Sequence, residues 1–463
     1  MKKWLWFVLR WGVAVVGIWW VVANLSLRDH ALVLDAQNVP HDEAVLGHAD
    51  GQYQVRNWRT GKSEWMKSSR LVSEPDRKNV TMLDGSVAKM LGLDLSGDIN
   101  RRPVVQRVLV QNPINGRGVW VSPDRLADYH LQVPHPVVQI GLISMAQQAR
   151  PALICLAVGI FPICFFLVSI RWRRLMAALD IHISYYKTFV LYMVGNFYNT
   201  FLPGSTGGDV LKAVYVARLT PHRTRAVVSV LFDRIIGMLG LVMLGGAMSA
   251  YQYCEFAMHG APGDPVARKC QQIALLCCGI LGVVFIGFYI IFHPNLRRRF
   301  DPLIRKLPAQ RHVQHILDVM EIYRSRPKLI AWALAITIPV HITVVVSAML
   351  AGMAFRLPIS PLYYFVAVPV VVLVAAIPIS PQGAGVMEFF AVILLQKQGA
   401  TVGQAVALTM SIRFVQIFWN LIGGIWVASG GYHPPTAEEQ LALDKDEPPR
   451  TTWPQADLTA GNE

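Results

Sequence analysis

Long apolar runs separated by short polar connectors dominate the chain, with one wide polar stretch near its start. The apolar runs cover roughly residues 5–26, 152–170, 226–250, 272–292, 329–354 and 405–428. About 20 consecutive apolar residues form a helix long enough to cross a bilayer. Each run therefore predicts a transmembrane helix, and together they predict an all-α polytopic membrane protein. The first run follows Lys2 and Lys3, as in a signal peptide. Its apolar part is long and no A-x-A-like cleavage site follows, which favours an uncleaved anchor over residues 1–27.

Residues 28–145 follow a different pattern. They are polar, with short alternating runs such as "GQYQVRNWRTG" and "VVQRVLVQNPINGRGVWV" between turn residues. This predicts a small β-rich domain inserted after the first span, in which "SVAKMLGLDL" reads as one short helix. With the N-terminus inside, the domain lies outside the cytoplasm. Its many basic residues are compatible with that side, because long loops translocate largely regardless of charge.

Two further apolar stretches are broken. The first holds "NFYNTFLPGSTGGDVLKAVYVAR" at 196–218, interrupted at Pro203 and Gly204. The second, "VVVLVAAIPISPQGAGVMEFFAV" at 370–392, is interrupted around Pro381, Gly383 and Gly385. Basic clusters at 171–174 and at Arg218, Arg223 and Arg225 belong on the same, inner face by the tendency of cytoplasmic loops to collect Lys and Arg. The stretch 185–211 between them must then enter and leave on one face, as a re-entrant hairpin. Non-helical backbone survives at membrane depth only where protein or a water-filled cavity satisfies it.

The two broken stretches sit in a recurring order. Tyr185-Tyr186 and Tyr363-Tyr364 are 178 positions apart, as are Pro203 and Pro381, and Gly207 and Gly385. Arg234 and Arg413 are 179 apart. Each half reads as span, hairpin, span, and the crossing at 272–292 inverts the second copy. The fold expected is an inverted repeat with two re-entrant broken helices, a recurrent transporter design. The competing explanation is that low-complexity apolar sequence resembles itself.

Composition supports the membrane assignment: 53% of residues are hydrophobic and 16% charged, against about a quarter charged in soluble domains. The net charge of +14 lies in clusters that flank apolar runs, which fits anionic lipid headgroups better than nucleic acid. "RHVQHILDVMEIY" places Val313, Leu317, Met320 and Tyr323 on one helical face; a helix on the inner membrane surface and one packed on the protein both fit. Cys254 and Cys270 flank an outer loop and are candidates for a disulfide. Neither a phosphate-binding loop nor an H-E-x-x-H or G-x-S-x-G motif occurs, so no cofactor or metal is expected. The acid pair Asp42 and Glu43 is a weak hint of transferase chemistry.

Arg234 and Arg413 carry most weight, because each lies about eight residues into an apolar span. Ionisable residues at that depth are costly, and they face an interior with a partner or a ligand. A guanidinium matches a phosphate with two parallel hydrogen bonds. Asp209 and Lys212 follow the first break and Glu388 the second. Asp209 suits a helix cap, whereas Glu388 has options as a partner of Arg413, a proton carrier or a selectivity element. Asn196 and Asn199 suit support of the loop. The candidate headgroup-binding set is Asn196, Pro203, Gly204, Gly207, Gly208, Asp209, Lys212, Asp233, Arg234, Pro381, Gly383, Gly385, Glu388 and Arg413.

"NFYNTFLPGSTGGDVLKAVYVAR", "AVVSVLFDRIIG" and "PISPQGAGVMEFF" together resemble the membrane region of lysylphosphatidylglycerol synthases, a flippase-like family, over roughly residues 150–430. Lys212 stands where members commonly carry Arg. The resemblance implies a bacterial inner-membrane protein that handles a polar lipid. The 33 residues after Gly430 are too few for the aminoacyl-transferring domain of full-length synthases, and a polar acidic tail over 431–463 reads as disordered. A translocator of anionic lipid or lipid-linked intermediates is the leading expectation, and a lipid-modifying transferase or its membrane subunit the alternative. A scaffold whose outer domain recruits a protein partner is the third.

Overall fold

The computed structural model describes residues 19, 26–50, 52–57, 60–75, 78–96, 104–127, 137–201, 207–218, 220, 223–259, 264–292, 317, 319–376 and 383–429. The expected anchor (save its last few residues), the break at Pro203 and Gly204, Pro381, the basic cluster at 297–299 and the C-terminal tail lie outside them.

The polar stretch is β-rich, as its alternation predicts. One antiparallel sheet runs in the order β10-β1-β2-β3-β4, with β5 pairing on β1. The other runs β6-β7-β8-β9. The strands are β1 (His30–Leu34), β2 (Pro40–Ala49), β3 (Gln52–Arg56), β4 (Ser63–Lys67), β5 (Leu71–Val72), β6 (Asn79–Thr81), β7 (Val87–Ser96), β8 (Val104–Gln111), β9 (Gly118–Val121) and β10 (Val138–Gln139). Leu34, Val72 and Leu109 join the cores of the two sheets. The expected helix in "SVAKMLGLDL" is instead β7. Pairing with β6 and β8 overrides the helical preference of its Ala, Lys, Met and Leu residues. Gly92 packs there against Val72, 2.9 Å from where a Cβ would stand.

The rest of the described chain is helical apart from short connectors. In order, the helices are α1 (Leu142–Gln147), α2 (Pro151–Ile160), α3 (Pro162–Ala177), α4 (Tyr185–Phe201), α5 (Gly207–Arg218), α6 (Arg223–Met258), α7 (Pro265–Phe292), α8 (Pro327–Ala354), α9 (Pro361–Ala376), α10 (Val386–Leu395) and α11 (Val402–Ala428). Among the described residues five helices are long and apolar enough to cross a membrane: 151–177 (α2 with α3), α6, the core of α7, α8 and α11. They coincide with five of the six runs. At 1.5 Å per residue, α4 and α5 reach about 26 and 18 Å, and α9 and α10 about 24 and 15 Å, each short of a ~30 Å hydrocarbon core.

The chain divides into two compact units. One takes residues up to Cys164, Met238–Phe285 and Ile338–Phe418; the other takes Phe165–Gly237, Ile286–Thr337 and residues from Trp419 on. In the first, α9 and α10 pack with parts of α6, α7, α8 and α11, and Tyr363 and Tyr364 are its largest buried side chains. The Tyr363 hydroxyl donates to the Leu394 carbonyl at 3.1 Å. Cys254 and Cys270, the candidate disulfide, are both free thiols, the first exposed and the second buried. In the second unit α4 and α5 pack on α3 and the start of α6. Tyr323, fully buried, stacks on Phe232 at 4.1 Å and donates to the Leu175 carbonyl at 3.1 Å. The described end of "RHVQHILDVMEIY" thus packs on protein.

Candidate functional site

Glycines set the approach of α4 and α5. A Cβ on Gly208 would overlap the Gly195 carbonyl, and one on Gly195 would overlap the Lys212 stem. Small residues let helix backbones come this close inside a membrane. The first free N–H groups of α5 then meet α4, and Asn199 Oδ1 accepts from Gly208 N–H at 2.8 Å. Asn199, rather than the expected Asp209, does the capping. Asn196, one turn earlier on α4, accepts the Thr200 hydroxyl on its carbonyl at 3.1 Å.

Asp209, released from capping, gathers charge in the first turn of α5. Its Oδ1 lies 3.2 Å from Lys212 Nζ and its Oδ2 2.9 Å from Arg234 Nη1. The Lys212 ammonium also sits 4.3 Å from the Tyr192 ring centre, a favourable cation–π geometry. Beside Arg234, Asp233 Oδ1 accepts from Arg171 Nε at 2.8 Å, and Arg171 Nη1 donates to the Thr337 hydroxyl at 2.7 Å. Arg171 is buried. These five residues make a compact cluster of three cations and two carboxylates inside otherwise apolar helices. Arg171 was expected in a cytoplasmic basic loop; it belongs instead to the apolar interior of α3.

The other unit holds a simpler arrangement. Gly383 and Gly385 have φ of +69° and +81°, left-handed values that favour glycine. Gly385 begins α10, and its N–H donates to Glu388 Oε2 at 2.7 Å. The other oxygen, Oε1, lies 2.8 Å from Arg413 Nη2. Glu388 is 1% exposed. It thus serves as both cap and ion-pair partner; G-x-x-E is the spacing of a capping box.

The two pairs match in position. Asp209 and Glu388 each occupy the first turn of a helix, α5 and α10, and their arginines follow by 25 positions in each case. Asp209 Oδ2 and Glu388 Oε1 make charge contacts without an aligned hydrogen bond, a weaker form of contact. The surroundings differ: by the 177–179 offsets, Arg171, Lys212 and Asp233 correspond to Ala348, Ala391 and Ile412. Among the described residues the polar cluster accompanies the Asp209–Arg234 pair and not the Glu388–Arg413 pair.

Asp42 and Glu43 do not form an acid pair. They are neighbours on β2, so their side chains leave opposite faces of the strand; Glu43 is buried and Asp42 exposed. Among the described residues no group of three His, Cys, Asp or Glu side chains could hold a metal ion.

The model of the lysylphosphatidylglycerol synthase TM region matches residues 141–424, well over half of the chain. The chain belongs to this family. The family match contains both helix pairs, both glycine-rich starts and every charged residue of the two ion-pair sites, and leaves out the β-strands with Asp42 and Glu43. The chain is also similar to the "UPF0104 membrane protein PH1989" of Pyrococcus horikoshii, with 22% identity over 147 residues, 31% of this chain and 40% of that protein. The matched stretch therefore spans less than half of the relative's length. No solved structure matches the chain. Family membership and the apolar helices make it a multi-pass membrane protein of the lysylphosphatidylglycerol synthase TM family.

Proposed function

We propose that this protein binds a polar anionic lipid, or a lipid-linked intermediate, by its headgroup and moves it between leaflets of a bacterial inner membrane. The observation that carries the proposal is the matched pair of carboxylate–guanidinium contacts, Asp209–Arg234 and Glu388–Arg413, each in the first turn of a short helix after a glycine-rich start. Charges at this depth are expensive and mark functional sites. A headgroup phosphate offers a guanidinium two acceptors at once, and it can compete for contacts that lack an aligned hydrogen bond.

In this proposal the broken segments are re-entrant hairpins of an inverted repeat. The surplus of cations over carboxylates around Lys212 and Arg234 attracts the phosphate, and the acyl chains stay in lipid. The β-rich region lies outside the cytoplasm. Movement is downhill or driven by the membrane potential. The test uses proteoliposomes containing a fluorescent phosphatidylglycerol. Arg234→Gln should abolish lipid movement while leaving thermal unfolding close to that of the unmodified protein. Unchanged movement would remove Arg234 from the mechanism. Turnover of a lipid-linked donor by the purified protein would replace translocation with transferase chemistry.

A further inference from the structure

The C-terminal end of α3 and the segment before α4 enclose a cleft of about 550 Å³ that shares no residue with the Asp209 cluster. Its walls include Arg173, Arg174, His182 and Tyr185 over an apolar floor of Ile170 and Ile183. Both guanidinium groups are held in place without being neutralised. Arg173 Nε donates to the Ile183 carbonyl at 3.1 Å, and the Arg174 guanidinium lies 4.2 Å from the centre of the Trp332 ring. Among the described residues neither has a carboxylate partner. The neighbouring acid, Asp180, is engaged by Arg225 at 2.8 Å.

Depth identifies the environment of this cleft. Arg173 and Arg174 lie near the C-terminal end of the 27-residue candidate span Pro151–Ala177, which is longer than the roughly 20 residues a hydrocarbon core of about 30 Å requires. Aromatic residues gather at the same helix ends: Trp332 near the start of α8, Tyr185 and Tyr186 at the start of α4, and Trp426 near the end of α11. The Trp426 indole donates to the Tyr186 hydroxyl at 3.3 Å. Such aromatic belts mark the membrane–water interface, and basic pockets there hold anionic headgroups.

We propose that this cleft is a second binding site, which holds the phosphate of an anionic phospholipid between Arg173 and Arg174 and the base of its acyl chains on Ile170 and Ile183. The site is a resident interfacial one, independent of translocation through the Asp209 cluster. Two fixed positive charges against an apolar floor fit a phosphodiester lipid; a free anion would gain nothing from the floor, and a zwitterionic headgroup less from the charge.

The test is native mass spectrometry of the delipidated full chain, titrated separately with phosphatidylglycerol, phosphatidylcholine and inorganic phosphate. The unmodified protein should retain phosphatidylglycerol at least tenfold more tightly than phosphatidylcholine. Arg173→Gln/Arg174→Gln should erase that preference for the lipid held in this cleft, read as one phosphatidylglycerol fewer per protein, and Lys89→Gln, at an exposed position of β7, should leave the count unchanged. If the double variant does not fold, Ala177→Glu decides: it sets a carboxylate one turn from both guanidinium groups and should erase the preference by occupying them. Equal phosphatidylglycerol retention by whichever variant folds overturns the proposal. So does saturable binding of inorganic phosphate that added lipid does not displace.

Discussion

Removing Arg413 perturbs the smaller of the two charge sites in the most interpretable way. Arg413→Met keeps a long apolar stem but leaves Glu388, 1% exposed, with the Gly385 N–H as its one remaining close partner among the described residues. Stranding one member of a buried ion pair costs about 3–5 kcal/mol. The expected loss for the single variant is therefore about 3–5 kcal/mol. Glu388→Gln/Arg413→Met removes both charges, and the Gln amide oxygen can still accept from Gly385. That double variant should lose only about 1–2 kcal/mol, the range for a hydrogen bond changed without a stranded charge. Thermal unfolding of the purified proteins in one detergent reads these differences. A single variant as stable as the unmodified protein, or a double variant as unstable as the sum of its singles, would refute the reasoning.

The same structure makes further predictions. Gly208→Ala pushes a methyl group into the Gly195 carbonyl and should destabilise the α4–α5 hairpin by more than about 2 kcal/mol, visible as faster proteolysis near residue 205. Gly195→Ala meets the flexible Lys212 stem instead, so it should cost less while weakening lipid binding. Arg171→Leu leaves Asp233 without its buried partner and should lower stability by about 3–5 kcal/mol, with Arg171→Leu/Asp233→Leu recovering much of the loss in the same unfolding assay. Tyr363→Phe deletes the bond to the Leu394 carbonyl and should cost about 1–2 kcal/mol.

Much of the membrane region was legible because burial in lipid demands uninterrupted apolar runs. All five spans between residues 151 and 428 appear as helices, extended by a few residues wherever polar ends lie beyond the hydrocarbon. The glycine-rich starts and their acids were legible too, since a chain break inside apolar sequence has few explanations. The role of Glu388 as a cap was also present in its G-x-x-E spacing. Arg171 was not legible. It closes an apolar run in "RWRR", the pattern of a cytoplasmic flank, and its partner Asp233 lies 62 positions away, a pairing that only packing reveals. The capping of α5 by Asn199 was hidden for the same reason: a longer-range acceptor displaced the local one. In the β-rich region, "SVAKMLGLDL" misled because strand pairing outweighs weak helical propensity.

Bleaching of a headgroup-proximal fluorophore by a membrane-impermeant reductant tests the central claim most directly. In proteoliposomes carrying labelled phosphatidylglycerol and the unmodified protein, with and without an imposed membrane potential, bleaching should pass the outer leaflet and run to completion. Arg234→Gln vesicles should stop at the outer leaflet. Bleaching that stops there for the unmodified protein under every potential would contradict lipid translocation, and bleaching to completion in both would take the charge cluster out of it.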